Sequence, residues 1–162
     1  MSVVSKKLQS FLDQHHICYE TVPHVTDFTA LETSEHTHTP GRSFAKAVLV
    51  TVPTGPHSDA LVMLVLPADH RVDLVDVQRR LRSGRVSLAP ESRIARLLRD
   101  CDRGAIPPFG NLYGLRVLVC PSLLDEETIT FNAGSHEMAI RVSTSDYLRL
   151  VRPERLEFSH HV

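Results

Sequence analysis

Apolar residues recur at helical spacing in some stretches of the chain and at strand spacing in others. Val4, Leu8, Phe11 and Leu12 share one face of a helix predicted over 3–15. Residues 17–22 read as a short strand stopped by Pro23, and 28–35 have helical composition. Pro40 and Gly41 make 36–43 a predicted loop. Runs rich in Val and Leu over 44–52 and 60–66 predict strands, the second apolar enough to be buried on both faces. A turn over 53–59 separates them. Leu74, Val77 and Leu81 mark a helix that starts at Asp73, and Pro90 opens another that runs to Arg99. Residues 104–110 form a Gly/Pro loop. Strands are predicted over 115–120 and 128–131, a hairpin turn over 132–135, and an alternating strand over 137–142. Ser143, with Asp146 three residues on, caps a last helix. The sum is an α+β (mixed α/β) chain of about six strands around one sheet. A single domain over 1–162, with its core over about 8–150, is the expected organisation.

Composition excludes several classes. The chain has 162 residues, 42% hydrophobic and 23% charged, at a net charge of -1. Intrinsic disorder does not fit those values. No run reaches the ~18–20 apolar residues of a membrane span, and 1–10 lack the apolar stretch of a secretory leader. Three scattered cysteines, Cys18, Cys101 and Cys120, predict a reducing, cytoplasmic setting rather than a disulfide scaffold.

Charge changes the picture more. The 18 basic residues are 15 Arg and 3 Lys, and after Lys6 and Lys7 the only lysine is Lys46. It interrupts the apolar run Phe44-Ala45-Lys46-Ala47-Val48. A strand lysine can pack its stem and reach water with its head. Alternatively it points into a pocket and offers a point charge to a carbonyl or phosphate oxygen. Nine arginines against five acids lie between Arg71 and Arg103, whereas no Lys or Arg occurs from Leu8 to Gly41. The basic segment is either two solvated helical faces or a surface for phosphates.

Two loops carry candidate chemistry. Gly104-Ala105-Ile106-Pro107-Pro108-Phe109-Gly110 is stiff, and glycine lets its backbone approach a ligand. Asn132-Ala133-Gly134-Ser135-His136 reads as a turn, with Asn132, Ser135 and His136 as candidate polar contacts at a pocket rim. His24, His36 and His38 are the candidate metal ligands, but no HExxH or CxxC accompanies them. His160 and His161 are expected in a frayed segment. GxSxG, GxGxxG and Walker A motifs are absent.

Taken in order, these pieces resemble the YbaK/ProX family, aminoacyl-tRNA deacylase domains associated with prolyl-tRNA synthetases. The match runs from the strand Ile17-Cys18-Tyr19-Glu20 through His24 and Phe28-Thr29-Ala30 to the lysine strand. It continues through Pro67-Ala68-Asp69-His70, a GxxxP element at Gly104 and Pro108, and the Asn132-Ala133-Gly134 segment. The resemblance implies a twisted, partly barrel-like mixed sheet of about six or seven strands with helices around it. It implies hydrolysis, in trans, of the ester joining a wrong amino acid to the 3′-terminal adenosine of a tRNA, with tRNA-Pro expected. Lys46, Gly104 and Asn132 are the implied catalytic residues. Lys46 would fix the terminal phosphate or the ester oxygen, and the 104–108 loop would position the aminoacyl group. Tyr19, Phe28, Thr29, Pro108, Phe109, Gly134, Ser135 and His136 are the implied substrate contacts. The nucleophile would be water or a substrate hydroxyl or thiol, with no metal and no cofactor. The expected partners are mischarged tRNA and an aminoacyl-tRNA synthetase, not a membrane.

One departure leaves the substrate open. The alanine-specific branch carries a functional His just before its Asn, and here that position is Phe131. Ala, Ser, Thr and Cys therefore all stay candidates for the amino acid removed. The rival expectations are a non-catalytic tRNA- or synthetase-binding module and a metal hydrolase built on His24, His36 and His38.

Overall fold

The computed structural model describes residues 4–24 and 29–162. Its strands are β1 (Glu20–Pro23), β2 (Phe44–Gly55), β3 (Ser58–Pro67), β4 (His70–Val72), β5 (Ser87–Leu88), β6 (Arg116–Val119), β7 (Thr128–Ser135), β8 (Met138–Ser143), β9 (Glu154–Arg155) and β10 (Ser159–His161). Its α-helices are α1 (Lys6–Gln14), α2 (Ala30–His36), α3 (Leu74–Leu81), α4 (Glu91–Leu97) and α5 (Thr144–Val151).

The two longest apolar runs form the central hairpin. β2 and β3 pair antiparallel from Ala45–Pro67 to Gly55–Ser58, so the expected 53–59 turn shrinks to two residues. The mixed sheet has eight strands in the order β1-β8-β7-β2-β3-β6-β9, with β5 against β2. β7 lies parallel to β2, and β6 parallel to β3. β4 and β10 make a separate antiparallel pair. The mixed sheet and its surrounding helices agree with the expected fold class. The four shortest strands escape sequence reading because two or three residues carry no periodicity.

Alternation along β2 divides the core. Ala45 and Leu49 face one apolar cluster with Phe109, Phe131 and Tyr147. Val50 and Val52 face a second cluster with Leu64, Leu66 and Val77. Phe44 meets Ala68 and Ala139 at one end of that second face.

Helix starts follow the expected chemistry. Asp73 accepts from the N–H groups of Val75 (3.0 Å) and Asp76 (3.1 Å), which satisfies two of the first-turn donors of α3. Asp73→Ala should cost about 1 kcal/mol of stability. A urea titration would show this as a lower midpoint at an unchanged slope. Ser143 likewise accepts from the Asp146 N–H at 3.1 Å.

Two expectations need correction. Asn132 to Ser135 is not a turn: β7 runs through it, and pairing with β8 shifts register between Asn132 and Ser135. Gly134 adopts φ +98°, so the glycine makes a bulge, and the chain reverses after it at His136 and Glu137. The sequence 159–161 is not frayed but pairs with β4, and His161 reaches Asp69 at 3.2 Å.

Candidate functional site

β7 and β2 are paired only at Phe44–Thr130 and Ala45–Phe131. β5 joins the same edge of β2 later, at Val50 and Thr51, preceded by the Ala89 N–H to the Leu49 carbonyl. Between these points the described residues leave that edge of β2 without a strand neighbour from Lys46 to Val48. One step beyond the last paired positions stand Lys46 on β2 and Asn132 on β7. Because side chains alternate, both return to the face of Phe44 and Thr130.

Lys46 is half-buried, and its Nζ donates to the Ala68 carbonyl at 3.3 Å. Ala68 is itself fixed, since its N–H donates to the Phe44 carbonyl at 2.7 Å. Burial holds the Lys46 ammonium below the usual lysine range, and Arg71 adds to the shift while Asp69 opposes it. An ammonium has three N–H donors, so two remain for a ligand.

Asn132 is 6% exposed, and its buried Oδ1 has no hydrogen-bond partner among the described residues. Such orphaned polar atoms are rare, because leaving one buried costs about 1–3 kcal/mol. A polar ligand between the diverging strands would satisfy it.

The 104–108 loop meets β7 at Gly134. The Gly134 N–H donates to the Ala105 carbonyl (3.0 Å), and the Asp102 N–H donates to the Gly134 carbonyl (2.7 Å). The His136 ring bonds the Arg103 carbonyl through Nε2. Gly104 is exposed with φ +80°, and an added Cβ would lie 3.5 Å from His136 Cε1. β7 is therefore the element common to both halves of the site: Lys46 flanks it at Asn132, and the loop binds it at Gly134.

The other expected contacts are more dispersed. Pro108 is buried, and its carbonyl accepts from the Tyr147 hydroxyl at 2.8 Å. Phe109 is fully buried, with its ring 5.3 Å from Phe131 and 5.4 Å from Tyr147. Gly134 packs against α1, where an added Cβ would meet the Ser5 Cβ at 2.9 Å. Ser135 is buried, and its hydroxyl accepts from the Glu137 N–H at 3.3 Å. Thr29 caps α2, accepting from the Glu32 N–H at 3.1 Å. The Tyr19 hydroxyl donates to Asp13 at 3.1 Å, and its ring packs on the Phe109 cluster, on the sheet face opposite Lys46. Phe28 lies outside the described residues.

Asp69 is a neighbour of the site that its sequence position does not single out. Only folding brings it beside Lys46, through the bend after β3. Its sequence signal is the run Pro67-Ala68-Asp69-His70 itself. The described histidines 24, 36 and 38 do not form a converging ligand group. The trio that does is Asp73, Asp76 and His160, and it is largely committed to capping α3 and to pairing with Arg79. Burial pushes the Cys101 thiol up to about 11, which disfavours a thiolate nucleophile.

No described helix is long and apolar enough to cross a membrane. Residues 24–150 match the family model of the aminoacyl-tRNA editing domain. The chain is 31% identical over 158 residues to a multifunctional Ser/Thr-tRNA deacylase of Escherichia coli (strain K12), covering 97% of this chain and 93% of that protein. A crystal structure described as a trans-editing enzyme for prolyl-tRNA synthetase superposes with a TM-score of 0.81 at 17% identity, covering 99% of both chains. That of a hypothetical protein gives 0.82 at 14% identity, covering 96% of this chain and 100% of the other.

Proposed function

Because the chain belongs to the aminoacyl-tRNA editing domain family and is an aminoacyl-tRNA deacylase, we propose that it clears seryl and threonyl esters from the 3′-terminal adenosine of tRNA-Pro in trans. The choice of amino acids is supported by the Ser/Thr-tRNA deacylase relative, and the choice of tRNA by the structural neighbour tied to prolyl-tRNA synthetase. That synthetase, in the cytoplasm, is the expected source of the substrate.

The observation that carries the reading is the half-buried ammonium of Lys46, anchored on the Ala68 carbonyl at the gap where β7 leaves β2. Hydrolysis adds water to the ester carbonyl, and negative charge grows on its oxygen. The adduct then breaks its bond to the ribose oxygen, which leaves with a proton, giving free amino acid and tRNA. Lys46 has two donors to spend on that oxygen or on the terminal phosphate. The Asn132 amide offers a buried polar contact for the ester or the water. Gly104, with positive φ and no side chain, lets the loop backbone lie against the aminoacyl group. Positioning of this kind supplies rate without a protein nucleophile.

The test is a panel of Ala-, Ser-, Thr- and Cys-charged tRNA-Pro incubated with purified protein without added metal. Release of serine and threonine is expected, at a rate a chelator does not change. Retention of all four esters on tRNA that still binds would support a binding module instead and overturn the proposal.

A further inference from the structure

α4 separates two cavities of different character. One, of about 310 Å³, is mainly apolar and has the ion pair of Arg103 and Glu91 (3.3 Å) on its lining. The other is a broad groove of about 590 Å³ lined by Arg93, Arg96, Arg99, Tyr113 and apolar neighbours such as Leu97 and Leu115. No acidic side chain among the described residues lines it.

The groove's charge is largely uncommitted. Arg93 is held by Asp59 at 2.6 Å. The side chains of Arg96 and Arg99 are exposed and make no hydrogen bond or ion pair with a described residue. Lys7 adds a cation at the rim, with its Nζ 4.7 Å from the centre of the Tyr113 ring. Asp100, the acid closest in sequence, is spent on the hydroxyls of Ser5 and Tyr113. Arg93 and Arg96 are three residues apart on α4 and so share a face, which Arg99 continues past the helix end.

Charge and chain connectivity point to the partner. Past the end of α4 the chain turns through Asp100 to Arg103 directly into Gly104. A tRNA carries its aminoacyl ester on a single-stranded 3′ tail, so its duplex must dock beside the ester site, not within it. By contrast, the cavity lined by Asp125, Glu126 and Glu127 would repel a polyanion.

We propose that the Arg93–Arg96–Arg99 groove, with Lys7 and Tyr113, seats the phosphate backbone of the substrate tRNA's acceptor stem, an inference that rests on the deacylase reading above. The arginines supply sequence-independent attraction, and the tRNA's identity is read elsewhere.

The experiment compares wild type with the double variant Arg96→Glu/Arg99→Glu on two substrates: full-length mischarged tRNA and an aminoacylated CCA trinucleotide. On full-length tRNA, kcat/KM should fall about tenfold or more, mainly through KM. The dependence of log kcat/KM on log salt should flatten by about 0.7–0.9 for each phosphate no longer neutralised. Trinucleotide hydrolysis should be unchanged. Arg80→Glu/Arg82→Glu, at exposed arginines outside the groove, is the control and should change KM little. An unchanged KM and salt slope, or equal losses on both substrates, would overturn the inference. If wild type deacylates neither substrate, the deacylase reading fails, and the groove is judged by fluorescence anisotropy on an uncharged acceptor minihelix. Weaker binding by the groove variant then supports the surface, and unaltered binding overturns it.

Discussion

Lys46→Ala is expected to lower kcat/KM for deacylation of mischarged tRNA by about two to three orders of magnitude, the usual loss when one positioned donor to a developing oxyanion is removed. The side chain's only hydrogen bond among the described residues is to the Ala68 carbonyl, and its charge is partly desolvated. Truncation should therefore leave the melting temperature near wild type, which separates lost chemistry from lost folding. A fall in kcat would assign the ammonium to the ester oxygen, whereas a rise in KM alone would assign it to the terminal phosphate. The role requires the protonated form, and burial lowers the pKa. Activity, corrected for spontaneous ester hydrolysis, should thus decline on the alkaline side below the usual lysine range. Lys46→Arg keeps its charge at every accessible pH, so whatever activity it retains should lose that decline. Deacylation by Lys46→Ala at the wild-type rate would remove Lys46 from the site.

Phe109→Ala is expected to cost about 3–5 kcal/mol of stability. The ring is fully buried and meets Phe11, Phe131 and Tyr147, with centroids 6.2, 5.3 and 5.4 Å away. Those neighbours belong to α1, β7 and α5, which cannot all collapse into the void. Phe109 also ends the 104–108 loop, whose Pro108 carbonyl is tied to the same Tyr147. The loop should lose its set before the whole chain unfolds. Denaturant titration reads the first effect, and faster amide exchange at Gly134, whose N–H donates to the Ala105 carbonyl, and at Ala105, whose N–H donates to the Asp102 carbonyl, reads the second. A loss under 1 kcal/mol would mean the cluster repacks.

Much of the candidate site is legible in the sequence because its residues break local rules. Lys46 is conspicuous as a charge in an apolar run, and Gly104 as a glycine three residues before a Pro-Pro pair. Asn132 stands out for a reason that fails: Asn-Ala-Gly-Ser reads as turn chemistry, yet the chain continues as strand. Gly134 takes its positive φ as a bulge, packed under Ser5, the N-cap of α1, a contact no local pattern encodes. Tyr19 fits the order of motifs but ends on the other face, where its ring packs on the Phe109 cluster and its hydroxyl meets Asp13. The uncommitted charge of Arg96 and Arg99 is visible in the sequence only as a regional excess. Which arginines have partners depends on where Asp59 and Glu91 fall after folding.

The sequence by itself determined the longer elements and their chemistry: the two apolar strands β2 and β3, the caps Asp73 and Ser143, and the solitary interior lysine. These follow from periodicity and from side chains that satisfy their own neighbouring backbone, interactions that span a few residues. Only the tertiary structure decided which of them meet. The pairing of Phe44 with Thr130 puts Lys46 and Asn132 on one face, the parting of β7 from β2 opens the gap beside them, and the bend at Ala68 supplies the anchoring carbonyl. The strand at 159–161 brings His161 to Asp69. Such pairings join residues far apart in the chain, and they are selected by burial and hydrogen bonding across the whole sheet, which no local window contains.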